Sequence, residues 1–158
     1  MTYVITTYDW VPDFAVGHVR DLRPRWACEE AGLVYDIDTL SVREKTPEHY
    51  ARQPFGQIPI LRDGDLSVFE SGAILLYLGE RHQALMPLDP ADRAKTQQWL
   101  VSGLNTLEPA VMVLATARIF DRDARAEELA SPRLHLRLEQ LTTAMAGREF
   151  IAAGRFTI

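Results

Sequence analysis

The sequence predicts an α/β domain followed by an all-helical one. Three observations carry this: short β-branched runs alternate with helical stretches up to residue 82, a proline-bearing segment then interrupts, and only helical periodicity follows. The chain has 158 residues, 47% of them hydrophobic, enough for one ordinary domain or a small domain with part of a second. The reading places the domains at 1–82 and 83–158.

Tyr3-Val4-Ile5-Thr6-Thr7 is β-branched and aromatic and stops before Asp9 and Pro12, as a first strand does. From Val19 to Ala31 the residues Val19, Leu22, Trp26 and Ala27 fall at helical spacing, with Pro24 in the first turns and Gly32 as the closing glycine. Val34 to Thr39 alternates apolar and polar residues, so a strand with one wet face follows, joined by a parallel crossover. Thr46 as N-cap and Pro47 at the first position open a short helix to Arg52. Ile58 to Leu61 and Leu66 to Phe69 flank Asp63-Gly64 and pair as a hairpin. A helix then runs from Ser71 to about Arg81 with Ala73, Ile74, Tyr77 and Leu78 inward. The order β-α-β, short helix, β-β-α is the plan of a thioredoxin-like domain.

His82 to Arg93, with Pro87 and Pro90, reads as the linker. Beyond it Leu100, Leu104, Leu107, Val111 and Leu114 form one apolar stripe, in which Pro109 leaves the Asn105 carbonyl without a donor and predicts a kink. A further helix is expected to open at Ser131-Pro132, carry Leu134, Leu138, Leu141 and Met145 on one face, and close at Gly147.

Seventeen basic against 22 acidic side chains leave a net charge of −5, without the concentrated basic face that nucleic acid requires. The longest stretch free of charge, Thr96 to Leu107, is short of the ~20 apolar residues that span a bilayer, so no membrane partner is expected. The start lacks a secretory pattern and the lone Cys28 has no partner thiol, which points to a cytoplasmic setting. The glycines form neither nucleotide-binding fingerprint, and the four histidines are scattered, so neither a nucleotide nor a metal is implied. Cys28 beside Glu29 and Glu30 reads as an inert core thiol.

Two strings carry chemistry. In Pro54-Phe55-Gly56-Gln57-Ile58-Pro59 a proline stands at the start of a strand that must pair; a cis bond there would turn the Ile58 main chain toward an extended ligand, against the commoner use of a trans proline. Eleven residues on, Glu70-Ser71 stands where a strand meets a helix. Ser71 can offer hydroxyl and N–H to a carboxylate and Glu70 can pair an ammonium, or Ser71 merely caps its helix.

Taken together, Glu29-Glu30-Ala31-Gly32-Leu33, the Pro54 to Pro59 string, Glu70-Ser71 with Ala73-Ile74 and Tyr77-Leu78, and Gly154-Arg155-Phe156-Thr157-Ile158 resemble the soluble glutathione transferase family, bacterial-like. The resemblance implies a thioredoxin-like glutathione-binding domain and an incomplete all-α glutathione transferase C-terminal domain. It places Ile58, Pro59, Glu70 and Ser71, with Gln57 as a further contact, around glutathione. The thiol activator has two candidates, Tyr8 at the end of the first strand and His18 near the first helix, with a main-chain N–H of Trp10 or Val11 as a third. Glutathione is then a substrate whose thiolate attacks a hydrophobic electrophile, in a homodimer. A non-catalytic binding or scaffolding module and a glutathione-dependent peroxidase or dehalogenase are the alternatives. Thr157 resembles the family's helix cap with its helix missing, so by this reading the chain is a fragment, the alternative being an apolar surface covered by self-association.

Overall fold

A computed structural model describes residues 2–158, which form two compact units, one running to Met86 and including Ile158, the other Pro87–Thr157. The first contains β1 (Tyr3–Tyr8), α1 (Leu22–Glu30), β2 (Tyr35–Leu40), α2 (Pro47–Arg52), β3 (Ile60–Asp63), β4 (Leu66–Phe69) and α3 (Ser71–Arg81). The sheet order is β2-β1-β3-β4, with β1 parallel to β2 and antiparallel to β3, and β3 antiparallel to β4. This is the thioredoxin-like arrangement the sequence predicts. Central β1 and β3 bury Ile5, Ile60 and Leu61, while Ile74 and Leu78 of α3 are likewise excluded from solvent.

Local chemistry explains the boundaries. Thr46 Oγ1 accepts from the His49 N–H at 3.2 Å and Pro47 stands at the first turn, which fixes the start of α2 where expected. Gly64 takes φ +58° in the β3–β4 turn. The strand expected from Ile58 begins instead at Ile60, because the Ile58-Pro59 bond is cis and Pro59 has no N–H for the ladder.

α1 starts at Leu22, not Val19; a 3-10 turn at Asp13–Ala15 and further turns occupy the segment before it. Its buried face is Pro24, Ala27 and Cys28, at helical i, i+3, i+4 spacing. Trp26, expected inward, is 63% exposed and donates its Nε1–H to Glu30 at 2.8 Å. Ala73, also expected inward, is exposed, whereas Leu75 and Gly79 are buried.

Burial pushes the Cys28 thiol up to about 11 from an ordinary 9, with Glu29 adding to the effect. Between those values the unfolded chain has released a proton that the folded chain keeps. Stability therefore falls as pH rises through that window. Urea titrations on either side of it should show the decline in the parent chain and a smaller one in Cys28→Ala; equal slopes would refute it.

The second unit holds α4 (Pro90–Ser102), α5 (Glu108–Ala115) and α6 (Ala124–Met145), with π-helical turns at Gly103–Leu107 and Thr116–Asp121. The irregularity expected from Pro109 appears as the first π turn, where the Glu108 N–H donates to the Gly103 carbonyl. Asp89 caps α4 through the N–H groups of Ala91 and Asp92. The buried positions of α5 and the following turn are Ala110, Leu114 and Ala117, and Val111 is 44% exposed. Two of the three are alanines, whose small side chains let packed helices approach closely.

α6 opens eight residues before the expected Pro132. Asp123 caps it, accepting from the N–H groups of Arg125 and Ala126 at 2.9 and 3.0 Å, so Pro132 lies inside the helix. Gly147, at φ +71°, lies just past its end as expected. The continuous helical run Pro90–Asp121, 32 residues, is long and apolar enough to cross a membrane by length and composition. The charge-free count on the sequence stopped at Glu108 and missed it; a helix of a water-soluble bundle passes the same test.

Candidate functional site

The register gathers three chain segments at one end of the sheet. β3 starts beside the end of β1, with Thr6 opposite Ile60, and beside the end of β4, with Ile60 opposite Phe69. The Ile58-Pro59 entry to β3, the Tyr8 end of β1 and the Phe69-Glu70-Ser71 turn into α3 therefore emerge together. Ile58 and Pro59 are buried.

Ser71 is 4% exposed, at the first position of the 11-residue α3. Its Oγ accepts from Arg23 Nη1 at 3.0 Å, a partner the sequence reading did not find. Since a guanidinium only donates, the hydroxyl proton stays available to an acceptor, as do the N–H groups of the first turn of α3. The helix dipole favours an anion at that spot. Glu70 is exposed and has φ 70°, ψ 119°, a conformation that L residues adopt at a cost of about 1–3 kcal/mol and that clusters at ligand clamps.

The loop ahead of Ile58 is held from α2. Gln53 is 2% exposed, and its Oε1 accepts the N–H of Phe55 at 2.6 Å and of Gln57 at 3.2 Å. His49 is 1% exposed and its Nε2 meets the Gln57 carbonyl at 2.9 Å. The Gln57 main chain is thus engaged on both sides, and Gln57 as a residue is exposed. Gly56 takes φ +62°, and a Cβ there would lie 2.9 Å from the Tyr50 ring. The positive φ favours glycine.

Lys45 connects this loop to Tyr8. Its ammonium donates to the Gly56 carbonyl and, at 2.8 Å, to the Tyr8 hydroxyl, and lies 4.7 Å from the Tyr8 ring centroid. The Tyr8 oxygen accepts from Lys45, which leaves its own proton to donate. Next to it a surface hollow is lined by Asp9, Trp10, Ser41, Val42 and Arg43, with the Arg43 guanidinium 4.6 Å from the Trp10 ring centroid. His18 stands apart in this picture, in an exposed turn after Gly17, with its N–H on the Ala15 carbonyl. Among the described residues no cluster of three or more His, Cys, Asp or Glu could hold a metal ion.

Arg23, Lys45, His49 and Gln53 were missed by sequence reasoning. Only two signals pointed toward them: Lys45 is one of two lysines, and His49 and Gln53 are one helical turn apart.

Residues 5–80 match the family model for the glutathione S-transferase N-terminal domain. Those residues form a glutathione S-transferase N-terminal domain. Glutathione S-transferase F10 of Arabidopsis thaliana is 33% identical over 98 residues, 58% of this chain and 46% of that protein. Glutathione S-transferase 4 of Zea mays is 34% identical over 99 residues, 60% of this chain and 44% of that one. The match thus spans less than half the length of these transferases. Among solved structures, the theta class glutathione S-transferase of the citrus canker pathogen Xanthomonas axonopodis pv. citri, with glutathione bound, is 27% identical at a TM-score of 0.82, over 99% of this chain and 76% of that one. Ure2p in complex with glutathione reaches a TM-score of 0.84 at 21% identity, over 99% of this chain and 75% of its own, a likeness of fold.

Proposed function

We propose that the chain binds glutathione along the Ile58-Pro59 edge and that the protein conjugates the glutathione thiolate to a hydrophobic electrophile. The observation that carries this reading is the buried Ser71 hydroxyl, held by Arg23 at the start of α3 beside the exposed Glu70 carboxylate. A free amino-acid head group has complementary charges: its carboxylate meets Ser71 and the helix N-terminus, and its ammonium meets Glu70. The extended tripeptide then pairs with the Ile58 main chain, which precedes β3 and lies outside the ladder, as an added strand does. Gln57 borders the same run.

Tyr8 is the proposed thiol activator. Its hydroxyl donates to the sulfur and stabilises the thiolate, and the Lys45 ammonium on its oxygen strengthens that donation. The thiol proton leaves to solvent, the sulfur forms a bond to the electrophilic carbon, and the leaving group departs with its electron pair. His18, exposed in its turn, is the weaker candidate. A homodimer in the cytoplasm is the assembly and setting we propose with this activity.

The test is the rate of conjugation of a general aromatic electrophile as a function of pH. Tyr8→Phe should lower the rate about 10- to 100-fold near neutrality and move the thiol's ionisation to higher pH, with glutathione still bound. Unchanged profiles in both Tyr8→Phe and His18→Ala would transfer the role to the main-chain N–H groups of Trp10 or Val11. One observation favours a second reading, a glutathione-binding module without turnover: the segment from Tyr8 to His18 holds neither a serine nor a cysteine to activate the thiol. Glutathione binding with no conjugation would select it.

A further inference from the structure

His49 of α2 and Gln53, the residue just past its end, are buried polar side chains whose hydrogen bonds go to one short piece of main chain. Gln53 and His49 are 2% and 1% exposed. Gln53 Oε1 takes the Phe55 and Gln57 N–H groups, and His49 Nε2 takes the Gln57 carbonyl. Both main-chain polar groups of Gln57 are therefore bound to side chains from behind, immediately before Ile58.

The imidazole makes this contact at a cost. A carbonyl only accepts, so Nε2 carries the proton, and in the neutral ring Nδ1 is a bare acceptor. That Nδ1 is buried with no hydrogen-bond partner. An aliphatic side chain would avoid the penalty of an unsatisfied buried polar atom, which is comparable to a whole hydrogen bond. What the imidazole supplies and an aliphatic side chain does not is a fixed direction for the Gln57 peptide. The peptide that follows is the one a ligand would pair with.

We infer that His49, together with Gln53, is a positioning residue for glutathione: it orients the Gln57 peptide so that Ile58 presents its main chain at the binding edge, without touching the ligand. This rests on the proposed glutathione site. His49→Leu removes the donor, and His49→Gln keeps a side-chain N–H at the reach of Nε2. In His49→Leu, hydrogen exchange at residues 55–58 should rise about tenfold with the amides of β1 and α3 unchanged, and the dissociation constant for reduced glutathione, by calorimetry, should rise about three- to tenfold, the worth of one hydrogen bond. His49→Gln should restore both.

Unchanged exchange and affinity in a folded His49→Leu chain would overturn the inference, and so would exchange that rises equally across β1 and α3, the mark of a merely structural side chain. If the parent chain fails to bind glutathione, the proposed function falls and the positioning role falls with it, while the exchange result still decides whether the clamp exists. Should His49→Leu not fold, Gln53→Met removes the other half of the clamp and is read by the same two measurements.

Discussion

Ser71→Ala should remove about half or more of the thermal stabilisation that reduced glutathione confers. A ligand that binds only the folded state adds RT ln(1 + [L]/Kd), about 2.7 kcal/mol at a hundred times Kd, or roughly 5–10 °C for a domain of this size. A hydrogen bond to a charged carboxylate contributes about 1.5–3 kcal/mol, so deleting the Ser71 hydroxyl weakens binding by roughly 10- to 150-fold. At the same ligand concentration the stabilisation then drops to roughly 0.3–1.4 kcal/mol. The unliganded melting points supply the control, since the change also takes away one acceptor of Arg23. A shift of equal size in the parent chain and in Ser71→Ala would remove the head-group subsite from α3, and no shift at millimolar ligand in a folded parent chain would remove it from the protein.

Pro132→Ala should stabilise the helical unit by about 2 kcal/mol. Proline inside a helix removes one i→i−4 bond and crowds the preceding turn, at about 3 kcal/mol, of which part is returned because proline also restricts the unfolded chain. Pro132 is exposed and lies between Asp123, which caps α6, and Met145, where it ends, so alanine has room and restores a donor to the Glu128 carbonyl. The measurements are the urea midpoint and the exchange protection of the 124–138 amides. If stability is unchanged and residues 124–131 exchange freely, the helix begins at Ser131-Pro132, as the sequence alone suggested.

The contrast between Thr46-Pro47 and Ser131-Pro132 shows what local reading can and cannot do. Both pairs look like an N-cap followed by proline at the first position, and only the first is one. A stronger cap upstream, Asp123 with two N–H donors, starts α6 earlier and carries it through the second proline. Trp26 fails similarly: helical spacing put it inward, but the helix starts three residues later than periodicity suggested, and its buried face is Pro24, Ala27 and Cys28.

For the site, the legible residues were those whose type is demanded by their place in the chain. Pro59 at the mouth of a strand, Glu70-Ser71 at a strand-to-helix turn, and Gly64 in a hairpin each mark a backbone event that few residue types permit, and such events are encoded locally. Arg23, Lys45, His49 and Gln53 were not legible, because each acts on a partner through a side chain whose direction is set by packing. Arg23 reaches Ser71 across 48 residues of chain, and Lys45 reaches Tyr8 across 37. The amino-acid order by itself determined the strand and helix sequence of the first unit and where its edge would open, since turn chemistry and capping are short-range. Only the tertiary structure decided which side chains stand behind that edge, because long-range hydrogen-bond partners are chosen by the register of β1, β3 and β4 and by the face that α2 turns toward the loop.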